Sequence, residues 1–501
     1  MKHLWPVIFL LFCSLCPPDS SSGAEAKALK GLSAPSTPSA PWVAPDLSSL
    51  SAPLKEQAPS EINTNKEYEL AELVDLAERL NPETQVSWAH AKEAAAEVGL
   101  AQSEYYPLLA LKATAGTARE PEPLPLSPQK AGYMDLEAQE LRPVATLEWV
   151  LLDFGRRAAD VRAARARLLA ANLGFNAQHQ VIVFRVQAAF YQLSSLIGRI
   201  TAAHASLDSA LKVQEAAEER FKHGLAAAPE VSRARQLTAQ ASFDLEEVLA
   251  RERDAQVALA ESIGVLPTTP IRIVDFSRLP LPNLMEETVE KFIDRTLDQR
   301  PDLLAKVAAL RAREAEVRKA KSAYLPTLAF QGDVGHSYDR SQIKVGGGTF
   351  PWDSTDQTTW GAGLALKWDL FDGGARKRRL EIARSEREAA FHELEDAKDK
   401  AISQVWQYYT STKLAFRRLD VAAALLEASE KSYDQTFESY QHGLNSLVDV
   451  LDAQRALSSA RYTQLDTRAT LLESTAALAF ASGDLGPRLI NRKPGTLDTR
   501  P

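Results

Sequence analysis

Cysteine is nearly absent from this chain of 501 residues: Cys13 and Cys16 are the only two, and both lie close to its start. Cleavage beyond them would leave a protein without thiols, which excludes disulfides and cysteine-ligated metals. Long apolar runs are almost as scarce. Lys2 precedes one from Leu4 to Leu15, and small residues follow up to Ala24 and Ala26, the layout of an export signal over residues 1–26. A lipid anchor on Cys16 is the alternative fate of this segment. The run is shorter than the roughly 20 residues a spanning helix needs, so any membrane crossing must use β-strands. Basic excess is lacking too: 58 Lys and Arg face 66 Asp and Glu, a net charge of -8. No general phosphate-neutralising surface follows, which argues against a nucleic-acid partner.

Catalytic and cofactor motifs are also missing. The eight histidines form no HExxH spacing, no Gly-rich loop follows a strand, and no GxSxG occurs. The residues therefore point to no catalytic centre, no cofactor and no metal.

Glycine and proline are absent from residues 375–442 and again from 445–482, where Ala, Leu, Glu, Lys, Arg and Gln dominate. Such runs predict helices of about 100 Å and about 57 Å at the usual rise. Helices of that length must pack along one another rather than fold into a compact globule. They form half of a duplication, because one constant offset along the chain superposes its two halves. That offset aligns Pro82 with Pro301, Tyr105 with Tyr324, Trp149 with Trp368, Asp153 with Asp372, Gly155 with Gly374, Arg157 with Arg376, and Gly224 with Gly443. The first copy then has helices near 158–222 and 226–263, the longer one softened by Gly174 and Gly198.

Ahead of each long helix the apolar period changes to two. Trp360, Ala362, Leu364, Leu366 and Trp368 alternate with Gly361, Gly363 and Lys367, as Ala145, Leu147, Trp149 and Leu151 do with Thr146 and Glu148. Earlier strands follow from Leu109 to Ala115 and from Leu328 to Val334. The runs match the roughly 9 to 11 residues of a tilted membrane strand, with Trp149, Trp360, Trp368 and Tyr324 suited to membrane interfaces. An amphipathic hairpin over a soluble core fits the same pattern. Four strands per chain cannot close a barrel, so in lipid several chains must contribute. The Pro, Ser and Ala-rich stretch within 27–65 reads as a disordered tether and 487–501 as a tail. Repeats over 66–270 and 271–486 lie between them.

Two strand hairpins set between very long helices in a duplicated, exported chain is the plan of the TolC-like outer-membrane efflux family. The chain resembles it over about residues 66–486. The stretch Tyr440-Gln-His-Gly443-Leu-Asn-Ser-Leu-Val-Asp449-Val-Leu-Asp452-Ala looks like the family's periplasmic helix turn. The resemblance implies an α+β membrane fold in which a homotrimer shares a twelve-stranded β-barrel, four strands per chain, continued by a periplasmic α-helical barrel. It implies a passive exit duct for small molecules or polypeptides in a Gram-negative outer membrane, docked to a periplasmic adaptor protein and through it to an inner-membrane transporter. A periplasmic coiled-coil scaffold without a pore is the competing reading. On the family plan the loops Arg119 to Glu140 and Asp339 to Gln357 face outside, and the four prolines of the first and the Gly346-Gly347-Gly348 run of the second predict irregular backbone.

Asp449 and Asp452 share a helix face, and threefold symmetry would gather six carboxylates at a constriction. Ser446 three residues before Asp449 also reads as a capping box. The first copy has Glu230 and Arg233 instead, which makes the second hairpin the inner, gating one. The resemblance places a basic latch residue where Asn445 stands, leaving Tyr440 to bond Glu230 on a neighbouring hairpin. Gly224 and Gly443 supply the positive φ of each turn, and Leu225 and Leu444 form exposed tips suited to adaptor docking. His223 and His442 sit at helix ends where a cation is favoured.

Overall fold

The structure is a computed structural model, and it describes residues 62–127, 130–274, 281–282, 287–345 and 348–485. The expected export signal, most of the expected tether and the expected tail lie outside the described residues. From Thr64 onward the chain forms one unit. The strands are β1 (Glu67–Tyr68), β2 (Leu108–Ser127), β3 (Lys130–Leu152), β4 (Arg272–Ile273), β5 (Thr327–Val345), β6 (Gly348–Thr349) and β7 (Asp353–Lys367). The helices are α1 (Leu70–Leu80), α2 (Pro82–Ser103), α3 (Arg156–Lys222), α4 (Ala228–Ile263), α5 (Val289–Gln299), α6 (Pro301–Ser322), α7 (Ala375–Gln441) and α8 (Leu447–Ser482). The offset that carries Pro82 to Pro301 also carries both ends of α1, α2, α3 and α4 onto the ends of α5, α6, α7 and α8. The duplication therefore holds for every helix boundary.

At 67 residues each, α3 and α7 would extend about 100 Å. Each is flanked by shorter helices stacked end to end. α4 ends at Gly264 against the start of α2, where an added Cβ would lie 2.7 Å from Asn81 Cα, and Asn81 Nδ2 donates to Ser262 O at 2.9 Å. α8 ends in the same way at Gly483, against Arg300 before α6. Around α3 pack α2 and α6 toward the sheet and α4 and α8 away from it, while α7 packs on α6 and α8. The free edges of this layer are thus α2 with α4 on one side and α7 on the other. Gly198 does not soften α3, which runs unbroken. Its Cβ would fall 2.9 Å from Leu465 Cδ2, so glycine there permits close approach to α8.

The long strands form an antiparallel sheet in the order β2-β3-β5-β7. Register places Leu109, Leu111, Ala113 and Ala115 beside Leu147, Ala145, Pro143 and Leu141. The same face continues through Phe330, Val334 and Tyr338 of β5 to Trp360, Leu364 and Leu366 of β7. Lys112, Thr146, Glu148, Gln331, Asp333 and Thr359 occupy the opposite face. Leu141 to Trp149 spans about 27 Å of strand, or about 20 Å of height at a 45° tilt. Among the described residues neither edge strand, β2 or β7, has an outer neighbour, and Trp360 is 79% exposed.

The two segments expected to be irregular are largely strand. β2 and β3 remain paired from Leu108↔Glu148 to Pro125↔Ala131, and β5 with β7 from Thr327↔Lys367 to Ser341↔Asp353. Alternation explains this. Pro121, Pro123 and Pro125 all lack their N–H on one side of β2, and since the ladder to β3 persists, that side is the open edge. Gly346 and Gly347 lie outside the described residues.

β3 and β7 each pass into a long helix through the same motif. Asp153 accepts from the backbone N–H of Gly155 at 3.1 Å and of Arg157 at 2.9 Å, and from Arg157 Nε at 2.8 Å. Asp372 repeats this toward Gly374 and Arg376 at 3.1, 2.8 and 3.0 Å. At the foot of the sheet Trp149 Nε1 donates to Tyr105 O at 2.9 Å, and Trp368 Nε1 to Tyr324 O at 3.2 Å.

Candidate functional site

Farthest along the chain from the sheet, each copy turns between two helices. Helix α3 closes with Gly224 at φ 71°, its N–H donating to Phe221 O at 3.0 Å, and Leu225 N–H donating to Arg220 O at 2.8 Å. Helix α7 closes alike with Gly443 at φ 76°, its N–H donating to Tyr440 O at 2.9 Å, and Leu444 N–H donating to Ser439 O at 2.8 Å. Six-to-one and five-to-two bonds of this kind satisfy the last carbonyls, and the left-handed residue they need is glycine. Leu225 and Leu444 are left exposed at 67% and 79%.

The next helix of the second copy starts at Ser446. Its hydroxyl accepts from Asp449 N–H at 3.3 Å and donates to Asp449 Oδ2 at 2.7 Å, while Ser446 N–H donates to Asp449 Oδ2 at 3.1 Å. These bonds hold the Asp449 carboxyl below the usual carboxylate range, the hydroxyl first and the amide second. Asp452, one turn on, pairs with Arg455 at 3.3 Å. Both acids are exposed, on the side of α8 away from its buried Leu447, Val450, Leu451, Gln454 and Leu457. In the first copy Glu230 Oε1 accepts from its own Ala227 N–H at 3.5 Å. Asn445 is exposed in the turn.

Tyr440 is 1% exposed, packed among Val213, Ala217, Ala234, Leu447 and Val450. Its hydroxyl has no hydrogen-bond partner among the described residues. Burial pushes that hydroxyl's pKa up and the nearby Glu230 charge adds to it. Within one chain, then, Tyr440 and Glu230 are near each other but not bonded. What Tyr440 meets is Arg220. Its Nη1 donates to Tyr440 O at 2.9 Å, and its guanidinium lies 4.9 Å from the centre of the Tyr440 ring. Sequence reasoning missed Arg220, because the repeat offset pairs it with Ser439 and nothing in the periodicity marks it. It also assigned no role to Asp153, Arg157, Asp372 and Arg376, although the repeat alignment singles them out.

Beside these turns a groove of about 900 Å³ runs between α4 and α8 over α3, lined among others by Arg233, Asp244, Asp452 and Arg455. Gln454 in its wall donates to Ser206 O at 3.2 Å and ties α8 to α3. Among the described residues no group of three His, Cys, Asp or Glu side chains could hold a metal ion.

The family model for outer membrane efflux protein matches residues 73–265 and again 292–484, so that both of its matches are related by the offset of the internal repeat. The chain belongs to the outer membrane efflux protein family. Protein CyaE of Bordetella pertussis is 26% identical over 426 residues, covering 85% of this chain and 86% of that protein. Outer membrane protein OprJ of Pseudomonas aeruginosa is 24% identical over 389 residues, covering 77% and 78%. Among solved structures, the outer-membrane channel OprN superposes with a TM-score of 0.69 at 20% identity, over 83% of this chain and 90% of that one. The four long strands of this outer membrane efflux protein are accordingly one third of a trimeric β-barrel, continued by the long helices as a helical barrel. It is the outer-membrane exit duct of an efflux or secretion system, placed in a Gram-negative outer membrane with its helices in the periplasm. The family is one of transport ducts.

Proposed function

We propose that three copies of this chain form a passive duct whose second-copy hairpins constrict its periplasmic mouth, and that the chain catalyses no reaction. The bare sheet edges carry this reading. An open sheet leaves two rows of unpaired backbone groups, which lipid cannot satisfy. Closing β7 of one copy on β2 of the next removes both rows. The same closure sets α7 of one copy beside α2 and α4 of its neighbour. It covers exposed Trp406, Leu414 and Val421 on one side and Trp88, Leu100 and Phe243 on the other.

Trp149, Trp368 and Tyr324 then mark the periplasmic membrane interface, and Trp360, farther along β7 from Trp368, the outer one. At the far end Asp449 and Asp452 of three chains make six carboxylates around one axis, a field that favours cations and divalent blockers. Tyr440 packs near Glu230 of the first-copy hairpin, with Asn445 as an exposed neutral residue of the turn. The Leu225 and Leu444 tips, held out by Gly224 and Gly443, give a periplasmic adaptor protein an apolar contact, and the adaptor links the duct to an inner-membrane transporter.

Planar-bilayer recording with cross-linking of the same detergent-extracted sample tests the duct: cation-selective channels from trimers are expected, and a monomer without current would sink the reading. Leu444→Asp tests the tips. Export should fall about tenfold or more while trimers persist in the membrane. Normal export would remove Leu444 from docking.

A further inference from the structure

The two hairpin turns of one chain meet at a single side chain. Arg220, in the last turn of α3, sends Nη1 to Tyr440 O at 2.9 Å and Nη2 to Leu225 O at 3.5 Å. Its guanidinium covers the Tyr440 ring, and a Cβ added at Gly443 would lie 3.5 Å from Nη1. One planar group therefore touches the backbone of both turns and the open face of the second turn's glycine. No carboxylate lies within ion-pair distance of Arg220 among the described residues. The acids around it are engaged elsewhere: Glu218 with Arg235, Glu219 with Lys222, and Glu230 with the Ala227 N–H. The cation is thus directed at carbonyls, where only the five-donor fork of arginine can serve two acceptors and a ring together.

We propose that Arg220 is the clamp that holds the two hairpin ends of one chain together, and that through it the width of the duct's periplasmic mouth is set. The second half of this statement rests on the reading of the second-copy hairpin as the constriction; the first half does not. The clamp commits the second hairpin to its own chain's first hairpin, in competition with the contacts that hairpin makes around the threefold axis. It uses the carbonyl and ring of Tyr440 and leaves the hydroxyl idle. A tyrosine-to-acid latch would depend on that hydroxyl instead.

The test is a pair of cysteines, Leu225→Cys and Leu444→Cys, joined by a bismaleimide in the intact trimer; beyond Cys16 the natural chain has no other thiol. The linked peptide within one chain is quantified by mass spectrometry. Arg220→Ala should lower that yield about tenfold, the factor a charge-assisted hydrogen bond contributes, and Arg220→Lys should restore part of it. Tyr440→Phe should keep the link. A link that survives Arg220→Ala overturns the clamp, and so does a link lost equally in Tyr440→Phe, since the hydroxyl would then hold the tips. Single-channel conductance of Arg220→Ala without the added cysteines completes the test. A conductance changed about twofold or more supports control of the mouth. A lost link with unchanged conductance leaves the clamp in place and refutes the constriction reading beneath it.

Discussion

At the turn of the first copy Phe221 is 47% exposed, while its counterpart in the second, Tyr440, is 1% exposed. The backbones around them are the same, down to the glycine φ and the two closing hydrogen bonds. What differs is the company. Arg220 lies beside Phe221 in sequence but reaches across to Tyr440, and the second copy has only Ser439 in its place. Helix starts diverge likewise: Ser446 caps with its side chain, whereas Ala227 has none to offer and relies on Pro229 to open α4. The duplicated frame is kept wherever a turn or cap needs it, and the side chains that meet another hairpin have parted. That divergence is what the proposed division of labour asks for, with the second hairpin closing on the axis and the first supporting it.

The strand-to-helix junctions offer the strongest test of that contrast. Arg157 and Asp153 are each 7% exposed, and Arg157 also donates to the carbonyls of Glu104, Val150 and Leu151. Arg376 and Asp372 repeat the pair with 12% and 24% exposure. The first junction also forces Phe154 to φ 51°, where the second has Gly373 at φ 65°. Arg157→Ala strands a buried carboxylate and three carbonyls, so it should destabilise the protein by about 3 to 5 kcal/mol. Arg376→Ala, with water at hand, should lower the unfolding midpoint by less than half as much. Thermal unfolding of the detergent-solubilised trimers decides it, and equal losses would show that both junctions bear the same load.

Much of this is legible in the sequence, for physical reasons. Long runs of Ala, Leu, Glu, Lys, Arg and Gln without Gly or Pro strongly favour helix, and the register of the repeat needs only turn glycines and aromatics to be found. The helix ends then fall within one turn of expectation. The outer loops are misread when proline is weighed as a breaker without regard to its spacing. Gly198 reads as weakness because its contact, Leu465, lies on the last helix of the other copy. The Ser446 to Asp449 cap is legible from its spacing. Arg220 is not, since its partners are backbone carbonyls and a ring that only the packed hairpins bring together.

The charge asymmetry of the turns gives a second test, of smaller effect. In the second copy Asp449 and Asp452 place two acids on one face; in the first, Glu230 and Arg233 cancel. Replacing Asp449 and Asp452 together by alanine should lower the cation-to-anion permeability ratio several-fold, roughly in proportion to the lost field, and relieve divalent block. Replacing Glu230 and Arg233 together removes no net charge and should change the ratio far less. Reversal potentials in a salt gradient measure both. An equal shift in the two double variants would mean that both hairpins line the constriction.

The smallest effect concerns the helix starts. Ser446 and Ala227 share an extended backbone, at φ -82° and -97°, so their side chains can be exchanged without strain. Ser446→Ala should destabilise the first turn of α8 by about 1 kcal/mol, and Ala227→Ser should strengthen that of α4 by a similar amount. Amide hydrogen exchange of the two turns reports each change. The cap of the second copy carries a pH dependence. The Asp449 carboxyl is held below its ordinary value by Ser446. Its contribution is therefore complete above the unfolded pKa of about 3.9 and disappears as pH falls through the lower folded value. The gap in protection between the natural chain and Ser446→Ala should thus be steady from neutral pH down to about pH 4 and narrow below it. A gap that persists in stronger acid would assign the cap to the serine hydroxyl alone, and the second turn would then owe nothing to the acid that distinguishes it.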